Sequence, residues 1–227
     1  MCGRYYRHSD KQRIGDAFNI RDLPSSLIIS EADYNVAPTT FQPVIRNDKE
    51  TGERELVLMR WGLVPYFTRQ LSDVKGISTI NARAESVEKS PTWRVPFKKR
   101  RCLVPADGFY EWKRLDAKTK QPFAFRLTNG EPFAFAGLWD AWREPSGNWL
   151  QSFAIVTTEA NELASQVHTR MPVILHPADY SRWLEREEDQ PPVDLLRPYE
   201  SEKMDLAPCN PLEGTAGSIW PESMASK

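Results

Sequence analysis

The sequence predicts an α+β fold: a single domain on a mostly antiparallel sheet that curls into a barrel-like core, with helices at its periphery. Three features point there. Residues 101–113, 123–127, 133–142 and 150–156 read as strands separated by turn-rich pieces at 116–121, Asn129-Gly130 and 145–148, the pattern of an antiparallel meander. Residues 42–46 and 54–60 read as a further hairpin, joined through Asp48 to Gly52. Helical periodicity is confined to short segments.

The elements follow in order. Ser9-Asp10-Lys11-Gln12 has the form of a capping box, and Ile14, Ala17 and Phe18 follow at helical spacing, which predicts a helix over 10–18. Tyr34 to Thr40 is expected as a loop ending in a turn at Pro38. Trp61-Gly62-Leu63-Val64-Pro65 closes the second hairpin strand. A long loop then carries Tyr66 and Phe67 near its start and leads into Asn81-Ala82-Arg83-Ala84-Glu85; loops of that size are more often functional than idle. Thr158 stands where a cap would start a helix over 159–166, and Met171 to Leu175 reads as a short buried strand. Pro177 fits a first helical position before Tyr180, Trp183 and Leu184, and Pro191-Pro192 would end that helix. Residues 1–212 are expected to form the domain and 213–227, small and polar, a mobile tail.

Composition narrows the function classes. A chain of 227 residues with 40% hydrophobic and 27% charged residues can bury one sizeable core and reads as soluble and globular. Apolar runs fall short of the roughly 18 residues of a membrane span, and the start, with Arg4, Arg7 and His8, lacks a signal-peptide core. A cytoplasmic monomer with no membrane partner is expected. Cys2, Cys102 and Cys209 are too few and too scattered for a disulfide framework or a CxxC metal pair, and read as reduced thiols. The net charge of -1 hides an asymmetry: residues 81–114 hold nine Lys or Arg against four Asp or Glu, whereas 185–205 hold eight acids against three bases. A local basic face for nucleic acid is compatible with that distribution.

The absence of HExxH, GxSxG, Walker and GxGxxG patterns argues against zinc hydrolases, serine hydrolases and nucleotide enzymes, and no metal or cofactor is expected. Cysteine remains the most plausible nucleophile. Removal of Met1 would leave Cys2 with its thiol two carbons from a free amine. These groups ordinarily titrate near about 8.5 and about 8, so both are partly nucleophilic near neutrality. In Gly108-Phe109-Tyr110-Glu111-Trp112, alternation places Glu111 on the face of Phe109, where desolvation would favour its acid form; the competing reading is an exposed edge-strand Glu. His168, just before Arg170-Met171-Pro172, is either a proton shuttle or a structural imidazole. Asn81 and Arg83 share one side of an extended segment and suit a polar or phosphate-bearing ligand, or else a turn and the surface. Lys98-Lys99-Arg100-Arg101 reads as a solvated turn. Tyr66 and Phe67, adjacent in a loop, cannot both be buried by one face and suit unstacked bases.

Together, Met1-Cys2-Gly3-Arg4, Tyr34-Asn35-Val36-Ala37-Pro38, Trp61-Gly62-Leu63-Val64-Pro65, Asn81-Ala82-Arg83-Ala84-Glu85, Arg101-Cys102-Leu103-Val104-Pro105-Ala106, Gly108-Phe109-Tyr110-Glu111-Trp112 and His168-Thr169-Arg170-Met171-Pro172 resemble the SRAP (SOS response-associated peptidase) family of abasic-site processing proteins. The resemblance runs in order from residue 1 to about 175. It implies a sensor and shield of abasic sites in single-stranded DNA, including single-strand/double-strand junctions, that loses its initiator Met and traps the ring-opened sugar as a thiazolidine crosslink. It further implies that Cys2 supplies both nucleophiles, Asn81 positions the linkage, Glu111 acts as acid and base on the sugar oxygen, and His168 assists Schiff-base formation and reversal. By the same resemblance Arg4 and Arg83 lie near DNA phosphates, and Pro38, Tyr66 and Phe67 near the bases beside the lesion; in the Tyr66-Phe67 region the family often carries Trp, a departure in this sequence. Two other classes stay open on sequence grounds: a thiol peptidase, limited to its own N-terminus or general, and a non-covalent reader of modified or single-stranded DNA.

Overall fold

The computed structural model describes residues 2–29, 32–74, 79–186 and 191–210; the expected tail at 213–227 lies outside the described residues. In chain order the strands and α-helices are β1 (Arg4–Arg7), α1 (Lys11–Ala17), β2 (Asp33–Val36), β3 (Phe41–Asn47), β4 (Arg54–Trp61), β5 (Asn81–Arg83), α2 (Arg94–Lys99), β6 (Arg101–Ala106), β7 (Gly108–Arg114), β8 (Lys120–Leu127), β9 (Phe133–Arg143), β10 (Trp149–Glu159), α3 (Glu162–Ser165), β11 (Arg170–Pro172), β12 (Ile174–Leu175), α4 (Tyr180–Leu184) and β13 (Met204–Pro208).

A closed barrel forms the centre. β4, β3, β6, β9 and β10 pair antiparallel in that order, and β10 returns to β4 in parallel, Ser152 opposite Arg60 and Phe153 opposite Trp61. Closure removes the sheet edges that would otherwise need protection. The second sheet, ordered β13-β8-β7-β1-β2, is antiparallel throughout. Alternation along the barrel strands feeds two cores. Ile45, Leu103, Leu138 and Ala154 join Ile14 of α1, Phe18 at its C-terminal cap, Phe97 of α2 and Trp183 of α4. Val44, Val104, Phe135 and Phe153 join Cys2, Tyr5, Phe109 and Phe125 from the second sheet and its approach. The α+β class and barrel-like sheet expected from the sequence are both present.

Several local expectations are corrected. Residues 101–113 are not one strand: the chain leaves the barrel at Asp107 and enters the second sheet as β7. Buried Asp107 holds that corner by accepting from the backbone N–H of His8 (2.7 Å) and Ser9 (2.8 Å) and from the Ser9 hydroxyl (2.6 Å). Ser9 is therefore engaged elsewhere and does not cap α1; Asp10 does, accepting from Arg13 N–H at 2.8 Å. Thr158 likewise caps nothing, because β10 runs through Glu159. Helix α3 starts later, with Asn161 Oδ1 accepting from Ala164 N–H at 2.8 Å. The strand expected at 171–175 is two, one pairing with β10 and one with β9. Helix α4 ends at Leu184, before the prolines, with Arg101 donating to the Trp183 carbonyl at 2.6 Å and to that of Glu185. Residues 34–36, expected within the Tyr34–Thr40 loop, belong instead to β2, which pairs with β1.

Candidate active site

Strand β1 pairs with β7 so that Arg4 faces Tyr110, Tyr5 faces Phe109 and Tyr6 faces Gly108. This register needs glycine at 108, where a Cβ would meet the Tyr6 ring and the Phe125 carbonyl oxygen at 2.2 and 2.3 Å. It carries the N-terminal residues along β7, so Cys2 enters the core shared by the two sheets and comes under the field of Glu111. Cys2 is fully buried, and Glu111 is 4% exposed on the Phe109 side of its strand, as alternation predicts. Burial first, then the Glu111 charge, pushes the Cys2 thiol well above its ordinary range.

Asn81 approaches from the barrel. Its strand pairs in parallel with β10, Asn81 opposite Ile155 and Arg83 opposite Thr157. The preceding residue is fixed by Trp61, whose indole N–H donates to the Ile80 carbonyl at 3.0 Å while its ring stacks on Phe153. Asn81 then donates Nδ2–H to the Cys2 carbonyl at 2.9 Å. Asn81 is 6% exposed, and its Oδ1 has no hydrogen-bond partner among the described residues. Arg83, one residue beyond Ala82, is exposed, and Arg4 is half-buried beside Cys2 in sequence.

His168 follows α3, on the other side of β10. Its Nδ1 accepts from the Arg170 backbone N–H at 3.0 Å, which leaves the proton of the neutral ring on Nε2. The guanidinium of Arg170 grips Glu85 through two bonds, 2.5 and 3.1 Å, and donates to the Thr157 carbonyl at 2.6 Å. Neither Glu85 nor Arg170 stands out in the sequence, although both lie within segments that do; an acid following the 81–83 strand was the available signal.

The turn at Pro38 is built on the same tryptophan. Thr39 takes φ +75° and donates its N–H to the Trp61 carbonyl, while Trp61 N–H donates to Thr40, both at 2.9 Å. Tyr66 and Phe67 are 55% and 53% exposed, with their rings edge to face at 5.3 Å. Their loop is pinned to β9: Tyr66 N–H donates to Asp140 Oδ2 at 2.9 Å, and Trp142 donates its indole N–H to the Thr68 carbonyl at 2.6 Å. Arg100 also bonds Asp140, and Arg101 is buried as the α4 cap, so the basic run is half structural; Lys98 and Lys99 are exposed, but in the last turn of helix α2 and not in the solvated turn expected from the sequence. The structure thus gathers Cys2, Asn81 and Glu111 into one buried group. His168 and Arg83 flank β10, and Pro38, Tyr66 and Phe67 occupy loops leaving the Trp61 corner. Among the described residues no group of three or more His, Cys, Asp or Glu could hold a metal ion.

Residues 1–212 match the family model of SOS response associated peptidase (SRAP). The chain belongs to the SRAP family. Its relatives include the abasic site processing protein YoqW of Bacillus subtilis, 39% identical with all of both chains covered. The abasic site processing protein HMCES of Mus musculus is 27% identical, covering 99% of this SRAP chain and 76% of its own. A solved structure from Bordetella bronchiseptica, 29% identical, superposes with a TM-score of 0.77 over 92% of this chain and 100% of that one. Another, from Bacteroides thetaiotaomicron, has the same fold, with a TM-score of 0.81 at 24% identity over 100% and 99% of the two chains.

Proposed function

We propose that this SRAP protein processes abasic sites by capturing them covalently in single-stranded DNA, as a thiazolidine formed by Cys2 once Met1 is removed. The crosslink shields the lesion during the DNA damage response. One observation carries the reading: Cys2, a hydrogen-bonding amide at Asn81 and a buried carboxyl at Glu111 converge in one enclosed group. The relatives named abasic site processing proteins support the choice of substrate.

The chemistry balances without an oxidant, a metal or a cofactor. Glu111 donates a proton to the sugar ring oxygen as the C1′–O4′ bond breaks and the C1′ hydroxyl gives up its own proton to water, which frees the aldehyde and leaves Glu111 as a carboxylate. The Cys2 amine adds to C1′ and water leaves, giving a Schiff base. The thiol then adds to the same carbon; its proton passes by way of the Glu111 carboxylate to the nitrogen, and the five-membered ring closes. A thiol held protonated by burial requires such a proton acceptor, and Glu111 became one in the first step. His168 assists Schiff-base formation and reversal, and Asn81 holds Cys2 against C1′. Arg4 and Arg83 take flanking phosphates, while Pro38, Tyr66 and Phe67 pack against unstacked neighbouring bases. A continuous duplex would keep the lesion stacked, so single strands and junctions are preferred.

A thiol peptidase fits less well, since it needs a thiolate and both burial and Glu111 oppose one at Cys2. The test is an oligonucleotide bearing one abasic site, resolved on a denaturing gel. The wild type forms a stable adduct, while Cys2→Ala and a chain extended beyond Cys2, with thiol but no α-amine, do not. Equal adduct from either variant sinks the thiazolidine mechanism.

A further inference from the structure

We infer that Glu85 is a positioning residue: by gripping Arg170 it fixes how His168 is held relative to the Asn81–Cys2 contact. The inference rests on the capture chemistry proposed above and assigns a role within that site to a residue that would otherwise pass for surface charge.

Three strands are bracketed by this one pair. Glu85 follows β5, the strand of Asn81 and Arg83, within the turn Ala84–Ser86. Arg170 begins β11, which lies beside β10 with Arg170 opposite Glu159. The Arg170 guanidinium reaches Thr157 on β10, the residue opposite Arg83, and closes on both Glu85 oxygens. The backbone N–H of Arg170 is also the donor that sets the His168 tautomer. Side chain and main chain of one residue therefore couple the Asn81 strand to the imidazole. The paired bonds hold the Glu85 carboxyl below its usual range, so it is ionised wherever the chain is folded near neutrality.

Exposure separates positioning from stability. The Glu85 side chain is 56% exposed and that of Arg170 18%, and a pair so open to water adds little to folding. Its two-pronged geometry is nevertheless directional, and small errors in placement are costly to a reaction. Glu85→Gln is therefore expected to shift the melting temperature by less than about 3 °C. The single-turnover rate of adduct formation at saturating abasic oligonucleotide should fall roughly ten-fold or more. The half-saturating DNA concentration should not rise, since a negative charge has been removed.

The decisive measurement is ¹⁵N NMR of the histidines in the full chain, with the His168 signals identified from a His168→Ala spectrum. In the wild type His168 carries its proton on Nε2; in Glu85→Gln it becomes a mixture of tautomers, in parallel with the rate loss. An unchanged rate overturns the inference, and so does a rate loss with the His168 signals intact. A wild type that forms no adduct sinks the capture reading instead, and the NMR comparison still decides whether Glu85 controls His168.

Discussion

Asn81 donates its amide to the Cys2 carbonyl at 2.9 Å while its own carbonyl oxygen, buried in the same site, has no partner among the described residues. A buried acceptor left unpaired costs about 1–3 kcal/mol, so this amide is held at some expense. The processed α-amine of Cys2 is a donor suited to it. Asn81→Ala removes both the anchor and the orphaned acceptor. Adduct formation should therefore slow roughly 100-fold while stability changes by less than about 1 kcal/mol. Asn81→Asp should be at least as slow, because a carboxylate would face the Cys2 carbonyl with no proton to share. Single-turnover gels and denaturant melts of the two variants check this; a rate loss matched by unfolding would mean that Asn81 serves only the fold.

The buried thiols make stability fall with rising pH. Burial raises the folded-state pKa of Cys2 and of Cys102 above that of the unfolded chain, so the folded form binds protons more tightly. Their contribution is complete below the unfolded thiol pKa of about 8.5 and declines above it, by up to about 1.4 kcal/mol per pH unit for each thiol. Tyr5 and Tyr110, also raised by burial, add to the slope only above about 10. Cys209, pushed up to about 12 by its partial burial, adds to the same slope, so urea melts between pH 8 and 9.5 should show the loss and Cys2→Ala should shallow it by about a third. A flat profile would mean that the thiols ionise freely in the folded protein.

Much of this arrangement is legible in the sequence, and the failures share a cause. The hairpin of β3 and β4 and the meander through β10 follow from alternation and turn residues, and Glu111 falls on the buried face for the same reason. What sequence misses is long-range. Ser9 loses its capping role to Asp107, almost a hundred positions away, and Thr158 loses its own because β10 must continue far enough to pair with β11. The grip of Arg170 on Glu85 joins residues 85 positions apart. Local propensity carries no information about such partners.

The aromatic loop should depend on Asp140. That carboxyl is buried and accepts from Tyr66 N–H, Ala141 N–H and Arg100. Asp140→Ala strands the Tyr66 N–H and a half-exposed guanidinium, at a cost of about 2–3 kcal/mol. Single-strand affinity should weaken along with stability, as the loop loses its fixed pose. Tyr66→Ala and Phe67→Ala provide the contrast: each removes an exposed ring, leaves stability within about 0.5 kcal/mol, and weakens binding of undamaged single strands by about 1–3 kcal/mol if it stacks a base. Fluorescence anisotropy with a labelled oligonucleotide measures all three. Undiminished binding by both ring variants would remove this loop from the DNA path.

Gly108 tests the link between fold and site. A Cβ there would lie 2.2 Å from the Tyr6 ring and 2.3 Å from the Phe125 backbone oxygen, and the latter contact cannot be relieved by a rotamer change. Gly108→Ala must push β1 away from β7 or β8 away from both, and should cost about 3 kcal/mol or more. Any shift of β1 also carries Cys2 away from Glu111 and Asn81, since the Arg4–Tyr110 register delivers it there. The variant should therefore lose adduct formation even at temperatures where it remains fully folded by circular dichroism. Gly130→Ala, in an open turn at φ +67° with nothing near its Cβ, should be destabilised by only about 1 kcal/mol and keep its activity. Equal behaviour of the two variants would show that the β1–β7 approach does not set the geometry of Cys2.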